Sequence, residues 1–130
     1  GRFTSPNSLT GTYAFAYAQG ANGGTFSGSR IGGSANAVWR FTGLYGGTTY
    51  GVFAFDIDAS GSVIGRAHNI EDDESTVLGG SLSGSTLTVT AGGATIATAT
   101  LNTATGTLTG GTWDDGTDSG TFNGDGCRLN

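Results

Sequence analysis

Apolar and polar residues alternate with a period of two along most of the chain, and no stretch sustains the three-to-four-residue recurrence of an amphipathic helix. The alternation predicts strands at roughly 9–18, 24–31, 37–43, 48–57, 62–70, 76–83, 85–91, 94–101, 107–113 and 119–124. Turn signals separate them: Ala21-Asn22-Gly23-Gly24, Gly46-Gly47, Ala59-Ser60-Gly61, Gly92-Gly93, Thr105-Gly106 and Asp115-Gly116. Connections this short join only antiparallel neighbours, because a parallel crossover needs about a dozen residues or more. The expected fold is therefore all-β: an antiparallel meander forming a small up-and-down β-barrel of roughly eight to ten strands, with a β-sandwich as the alternative. Residues 1–8 read as an N-terminal extension and 9–130 as a single β domain.

A degenerate pentapeptide, Gly-[Thr/Ser]-[Phe/Val/Leu]-x-Gly, recurs at Gly24–Gly28, Gly61–Gly65, Gly80–Gly84, Gly106–Gly110 and Gly120–Gly124. Its irregular spacing is not that of a solenoid. In a strand the first, third and fifth positions share a face, so each motif sets one bulky residue between two glycines and turns hydroxyls or amides the other way. The bulky face is expected inside. Flanking glycines leave room for large side chains of neighbouring strands and permit the coiling that closes a small barrel. This reads as architecture, not as a site.

Composition sharpens the class. Among 130 residues, 35% are hydrophobic and only 12% charged, and 26 glycines stand against one proline. The glycines interrupt apolar alternations, which distinguishes them from those of a flexible low-complexity chain. Net charge is −5, lysine is absent, and Arg2, Arg30, Arg40, Arg66 and Arg128 are scattered. No basic stripe exists for phosphates, which excludes nucleic acid as a partner, and the acidity gives no attraction to anionic membranes. No apolar run reaches the roughly 20 residues of a transmembrane helix. Cys127 is the single cysteine, so neither an internal disulfide nor a multi-thiolate metal site is available; it reads as an ordinary residue or as an intermolecular attachment point. A surface of Thr, Ser, Gly and Asn with few charges suits an exported protein, so the expected location is extracytoplasmic: secreted, periplasmic or cell-surface.

Candidate chemistry starts from the aromatics. Ten lie between Tyr13 and Phe55, whereas Trp113 and Phe122 are the only ones after that. Barrel packing accounts for such a distribution; the alternative is an aromatic-lined ligand cavity whose volume is left free by small residues of the later strands. Tyr13, Tyr17 and Trp39 are the candidate lining. Arg30 shares strand parity with Phe26 and is placed inside or at the rim, where it needs a carboxylate or an anionic ligand.

Two acidic segments invite a metal reading. Asp56-Ile57-Asp58-Ala59-Ser60-Gly61 matches the opening of a calcium loop, but the twelfth position is Ala67 in place of a bidentate carboxylate, which leaves a hairpin turn. Glu71, Asp72, Asp73 and Glu74 form the one dense charge run, read as a solvated loop, with a Ca²⁺ site as the alternative. Asp114-Asp115-Gly116-Thr117-Asp118 is a further turn. His68, the only histidine, lies two residues from Arg66 on a face expected outward. A hydrolytic triad would have to use it, yet no nucleophile-elbow pattern accompanies it, and no catalytic residue is assigned.

These readings favour a non-catalytic extracytoplasmic module binding a small ligand or a surface protein. A structural subunit that self-associates through Thr-rich strand faces is the alternative, and a hydrolase the second. The array of Thr86, Thr88, Thr90, Thr98 and Thr100 is also similar to ice-binding surfaces, whose flat lattice the irregular spacing here opposes. The runs Leu9–Tyr13, Phe53–Gly65, Gly106–Trp113 and Gly120–Gly124 resemble the Gly/Thr-rich β-meander domains of bacterial exported proteins and lipoproteins. More distantly, the G-x-F-x-G closures resemble the small barrels of transferrin-binding-protein-like surface lipoproteins. The resemblance implies an antiparallel barrel with a binding role at the bacterial surface and carries over no site residue.

Overall fold

The structure, a computed structural model, describes residues 2–5, 8–17, 20–29 and 36–129. Among these residues every regular element is a strand. Two compact units divide the chain, 1–31 and 32–130. The first holds β1 (Arg2–Ser5), β2 (Ser8–Tyr17) and β3 (Gly20–Ser29) in a three-stranded antiparallel sheet of that order. β2 and β3 pair without a break from Ser8 opposite Ser29 to Tyr17 opposite Gly20.

The second unit is a closed antiparallel barrel of eight strands: β4 (Ala37–Gly47), β5 (Gly51–Asp58), β6 (Ser62–Asn69), β7 (Glu74–Ser83), β8 (Thr86–Ala91), β9 (Ala94–Asn102), β10 (Thr107–Asp114) and β11 (Ser119–Arg128). Each strand pairs with the next in sequence, and β11 returns beside β4, with Arg128 opposite Trp39 and Gly120 opposite Gly47. The meander thus closes as an up-and-down barrel. Odd-numbered strands of the barrel run opposite to even-numbered ones, so one end gathers the β4–β5, β6–β7, β8–β9 and β10–β11 connections. The other end gathers β5–β6, β7–β8 and β9–β10.

Alternation fills the interior. Phe41, Phe53, Phe55, Ile57, Val63, Leu78, Leu87, Val89, Leu101, Leu108 and Phe122 are buried and form one core. An interior of eight strands is only wide enough for such side chains or for one small ligand. Phe41, Ile57, Leu87 and Leu101 are the most deeply enclosed, each contributing roughly 1.5–3 kcal/mol by leaving water. The rings pack in series, Phe41 to Phe55 at 5.4 Å between centroids and Phe53 to Phe55 stacked at 5.5 Å, while Phe122 meets Phe53 edge-on at 5.6 Å. Two glycines of β11 make room for them: a Cβ at Gly124 would stand 2.8 Å from Phe53 Cζ, and one at Gly126 would fall on the ring of Phe41.

The pentapeptides place their bulky residue inside the barrel at Val63, Leu108 and Phe122, with Ser62, Thr109, Thr121 and Asn123 exposed. In Gly80–Gly84, Leu82 packs half-buried against the core while Gly84 lies in the β7–β8 turn with φ +60°, and two further copies depart from the pattern. In Gly106–Gly110 the last glycine does not share the face of Leu108: it adopts φ +63° as the extra residue of a bulge, and register resumes at Gly111 opposite Phe122. The parity change turns Trp113 inward. In Gly24–Gly28 of the first unit, Phe26 remains 39% exposed.

Outside, register assembles hydroxyls that are scattered in sequence. Ser81, Thr88, Thr98, Thr112 and Thr121 pair in turn across β7 to β11, forming one row. Ser83, Thr86, Thr100 and Thr109 form a second. The alignment is regular, but five adjacent strands of a closed eight-stranded barrel carry the row around more than half the circumference. The rows form a curved girdle, which a flat lattice or a flat partner sheet does not match. Also outward, on β4 and β5, Arg40 grips Asp56 with two bonds, Nε to Oδ1 at 2.8 Å and Nη2 to Oδ2 at 3.0 Å, and this hydrogen bonding raises the pKa of the guanidinium.

Candidate functional site: a cavity at one end of the barrel

At the end that gathers the β4–β5, β6–β7, β8–β9 and β10–β11 connections the filling is incomplete. A cavity of about 180 Å³ opens there. Its floor is apolar, made by Phe53, Phe55, Leu78, Val89 and Phe122. Ala67, Ala91 and Ala97 occupy wall positions where larger residues would close the space. Tyr45 and Trp113 stand edge-to-face in the upper wall, with centroids 5.3 Å apart and planes at 76°. Trp113 is held by its indole N–H, which donates to the Gly46 carbonyl at 3.2 Å. The first polar positions above the floor are Thr49, Asn69, Thr76, Glu74 and Asp115.

Local hydrogen bonds set this rim. The buried Thr49 hydroxyl donates to Asn69 Oδ1 at 3.0 Å, and the same oxygen accepts from the Glu71 amide at 2.9 Å. Asn69 Nδ2 donates to Asp72 at 2.8 Å. One amide thus ties the β4–β5 connection to the acidic β6–β7 turn, which reverses at Asp73 with φ +56°. Across the mouth, Asp115 Oδ1 accepts from the amides of Thr117 at 2.9 Å and Asp118 at 2.8 Å, and those bonds lower its pKa. Burial chiefly, with the nearby charges of Asp115 and Asp72, raises the pKa of the Tyr45 phenol, so it stays neutral and able to donate.

The residues singled out from sequence are dispersed. Trp39 does not line this cavity; it lies toward the opposite end, opposite Ile57 and Arg128, with its ring 5.8 Å from that of Phe41. Tyr13 and Tyr17 belong to β2 of the first unit, paired with Gly24 and Gly20, and their side chains lie outside the description. Arg30 lies outside the described residues. Glu71, Asp72, Asp73 and Glu74 border the cavity mouth, with Glu74 among its lining. Among the described residues no three His, Cys, Asp or Glu side chains converge as metal ligands. Asp58 is engaged in its own turn: one oxygen accepts from the Ser60 hydroxyl at 2.6 Å and from the Ser60 and Ser62 amides at 2.9 and 3.0 Å, which lowers its pKa.

His68 does join a serine and an aspartate: Nδ1 lies 3.0 Å from Ser75 Oγ and Nε2 3.5 Å from Asp73 Oδ1. All three stand outside the cavity lining, and Asp73 is 95% exposed, so the string has no walled space in which to hold a substrate. Tyr45, Thr49, Asn69 and Trp113 were not singled out from sequence. For Trp113 the available signal is the Gly110-Gly111 doublet, which marks a bulge and hence a change of facing.

No protein-family model matches the chain, and no curated protein or solved structure is significantly similar to it.

Proposed function

We propose that this is a non-catalytic extracytoplasmic binding module that takes a small, largely apolar ligand into the open end of its barrel. The cavity carries this reading: an apolar floor, an aromatic wall and a short set of fixed polar groups at the mouth are what small-molecule sites present. Its volume sets the ligand. About 180 Å³ is well below the roughly 300–1,000 Å³ of drug-sized pockets but comparable to the ~150 Å³ that accommodates benzene. A group about the size of one ring fills it. The barrel interior is apolar where that of a membrane-spanning barrel is polar, and the outer face carries hydroxyl rows across β7 to β11 beside the exposed Leu44, Val52, Ile64 and Val77 on β4 to β7, which supports a domain that works in water. The resemblance to exported β-meander domains supports a place outside the cytoplasm.

Light scattering with native mass spectrometry on the purified chain tests this reading against assembly. The expected result is a monomer that carries a small ligand or takes one up when ring-sized compounds are added. A polymer with no ligand uptake would replace it with the structural-subunit reading.

A further inference from the structure

The two ends of the barrel differ in charge as well as in filling. Seven of the ten acidic residues, Glu71, Asp72, Asp73, Glu74, Asp114, Asp115 and Asp118, lie in or beside the β6–β7 and β10–β11 connections, around the cavity mouth. None of the described lining residues is Lys, Arg or His. The described barrel arginines are elsewhere: Arg40 is bound to Asp56, Arg66 is exposed in β6, and Arg128 ends β11 at the other end. Glu74, the first residue of β7, and Asp115, in the β10–β11 connection, both reach the lining, and no described cation pairs with either.

Such a mouth concentrates negative potential over a low-dielectric cavity, a geometry that focuses field lines and draws in positive charge. It also repels carboxylates and phosphates. Tyr45 and Trp113 share the cavity lining with these two carboxylates, and an aromatic ring face attracts a cation electrostatically. We infer that the cavity is specific for a small organic cation, an amine or substituted ammonium whose apolar group occupies the floor while its charge stays at the mouth between Glu74 and Asp115. The inference rests on the binding reading above and specifies its ligand class.

Calorimetric titration at low ionic strength with benzylammonium, benzyl alcohol and benzoate separates the two claims. Benzylammonium is expected to bind at least tenfold more tightly than benzyl alcohol, with benzoate weakest. Adding salt to several hundred millimolar is expected to narrow the difference, since exposed charges are screened. In the double variant Glu74→Gln, Asp115→Asn, the ratio of benzylammonium to benzyl alcohol affinity is expected to fall toward one. Equal binding of benzylammonium and benzyl alcohol by the unaltered protein would overturn the cation inference and leave the cavity reading standing. Failure of all three probes to bind would overturn both.

Discussion

Within one barrel the same alternation produces two unlike ends. At the end where β11 meets the start of β4, Phe41, Ile57, Leu87, Leu101 and Leu108 leave no more than 2% of their surfaces exposed. At the other, inward positions fall to Ala67, Ala91 and Ala97, and the space they leave is a cavity rimmed with acid. Strand number and closure are common to both ends, so neither decides where a ligand can go. Side-chain size at inward positions decides it, together with one bulge that turns an indole inward. The closed end holds the most deeply enclosed side chains, and the open end holds the cavity.

The largest effect that this contrast predicts is at the closed end. Leu101→Ala removes a fully enclosed side chain and is expected to cost about 2–5 kcal/mol in denaturant unfolding. A loss below about 1 kcal/mol would mean that this end is not the better packed one. Gly126→Ala sets a methyl against the Phe41 ring and should cost about 1–3 kcal/mol by the same measurement. Ala97→Leu, at the open end, has the opposite expectation. It fills the cavity, so unfolding should be unchanged or strengthened by up to about 2 kcal/mol, while binding of a ring-sized probe weakens at least tenfold.

The smallest effect concerns pH, and here the two ends should behave alike. Asp58 at the closed end and Asp115 at the open end each accept backbone or hydroxyl bonds within a turn, and both pKa values are lowered. A lowered carboxyl pKa contributes stability that is complete above the unfolded value of about 3.9 and is lost as pH falls through the folded value. Protection of the Ser62 and Asp118 amides, measured against their intrinsic exchange rates, should therefore hold to about pH 4 and fall below it. If only one turn responds, the shared mechanism fails at the other.

Much of the barrel was legible in the sequence because alternation and short turns are local signals. Each strand from β2 to β11 overlaps a segment of alternating residues, and the glycine-flanked Phe122 and Val63 face inward as their spacing implies. The site was less legible because its residues become neighbours only through closure. Trp39 was an apt candidate for a lining by type, yet whether a ring packs or borders a cavity depends on what faces it across the barrel, and Trp39 packs on Phe41. Trp113 needed the bulge at Gly110 to be recognised before its facing could be assigned. Glu74 was visible as part of an acidic run, but its place at a cavity mouth depends on Asp115, 41 positions later in the chain (115 − 74). The threonine rows show the same limit: their sequence spacing is irregular, and register across β7 to β11 aligns them.

Methyl-resolved NMR during titration with benzyl alcohol tests the difference between the ends most directly. Leu78 and Val89 line the cavity, whereas Leu87 and Leu101 lie in the filled end. Saturable shifts at Leu78, Val89 and the Trp113 indole N–H, with Leu87 and Leu101 silent, are the predicted result. Shifts centred on Leu87 and Leu101, or no saturable shift at any of these groups, would contradict a binding cavity at the open end.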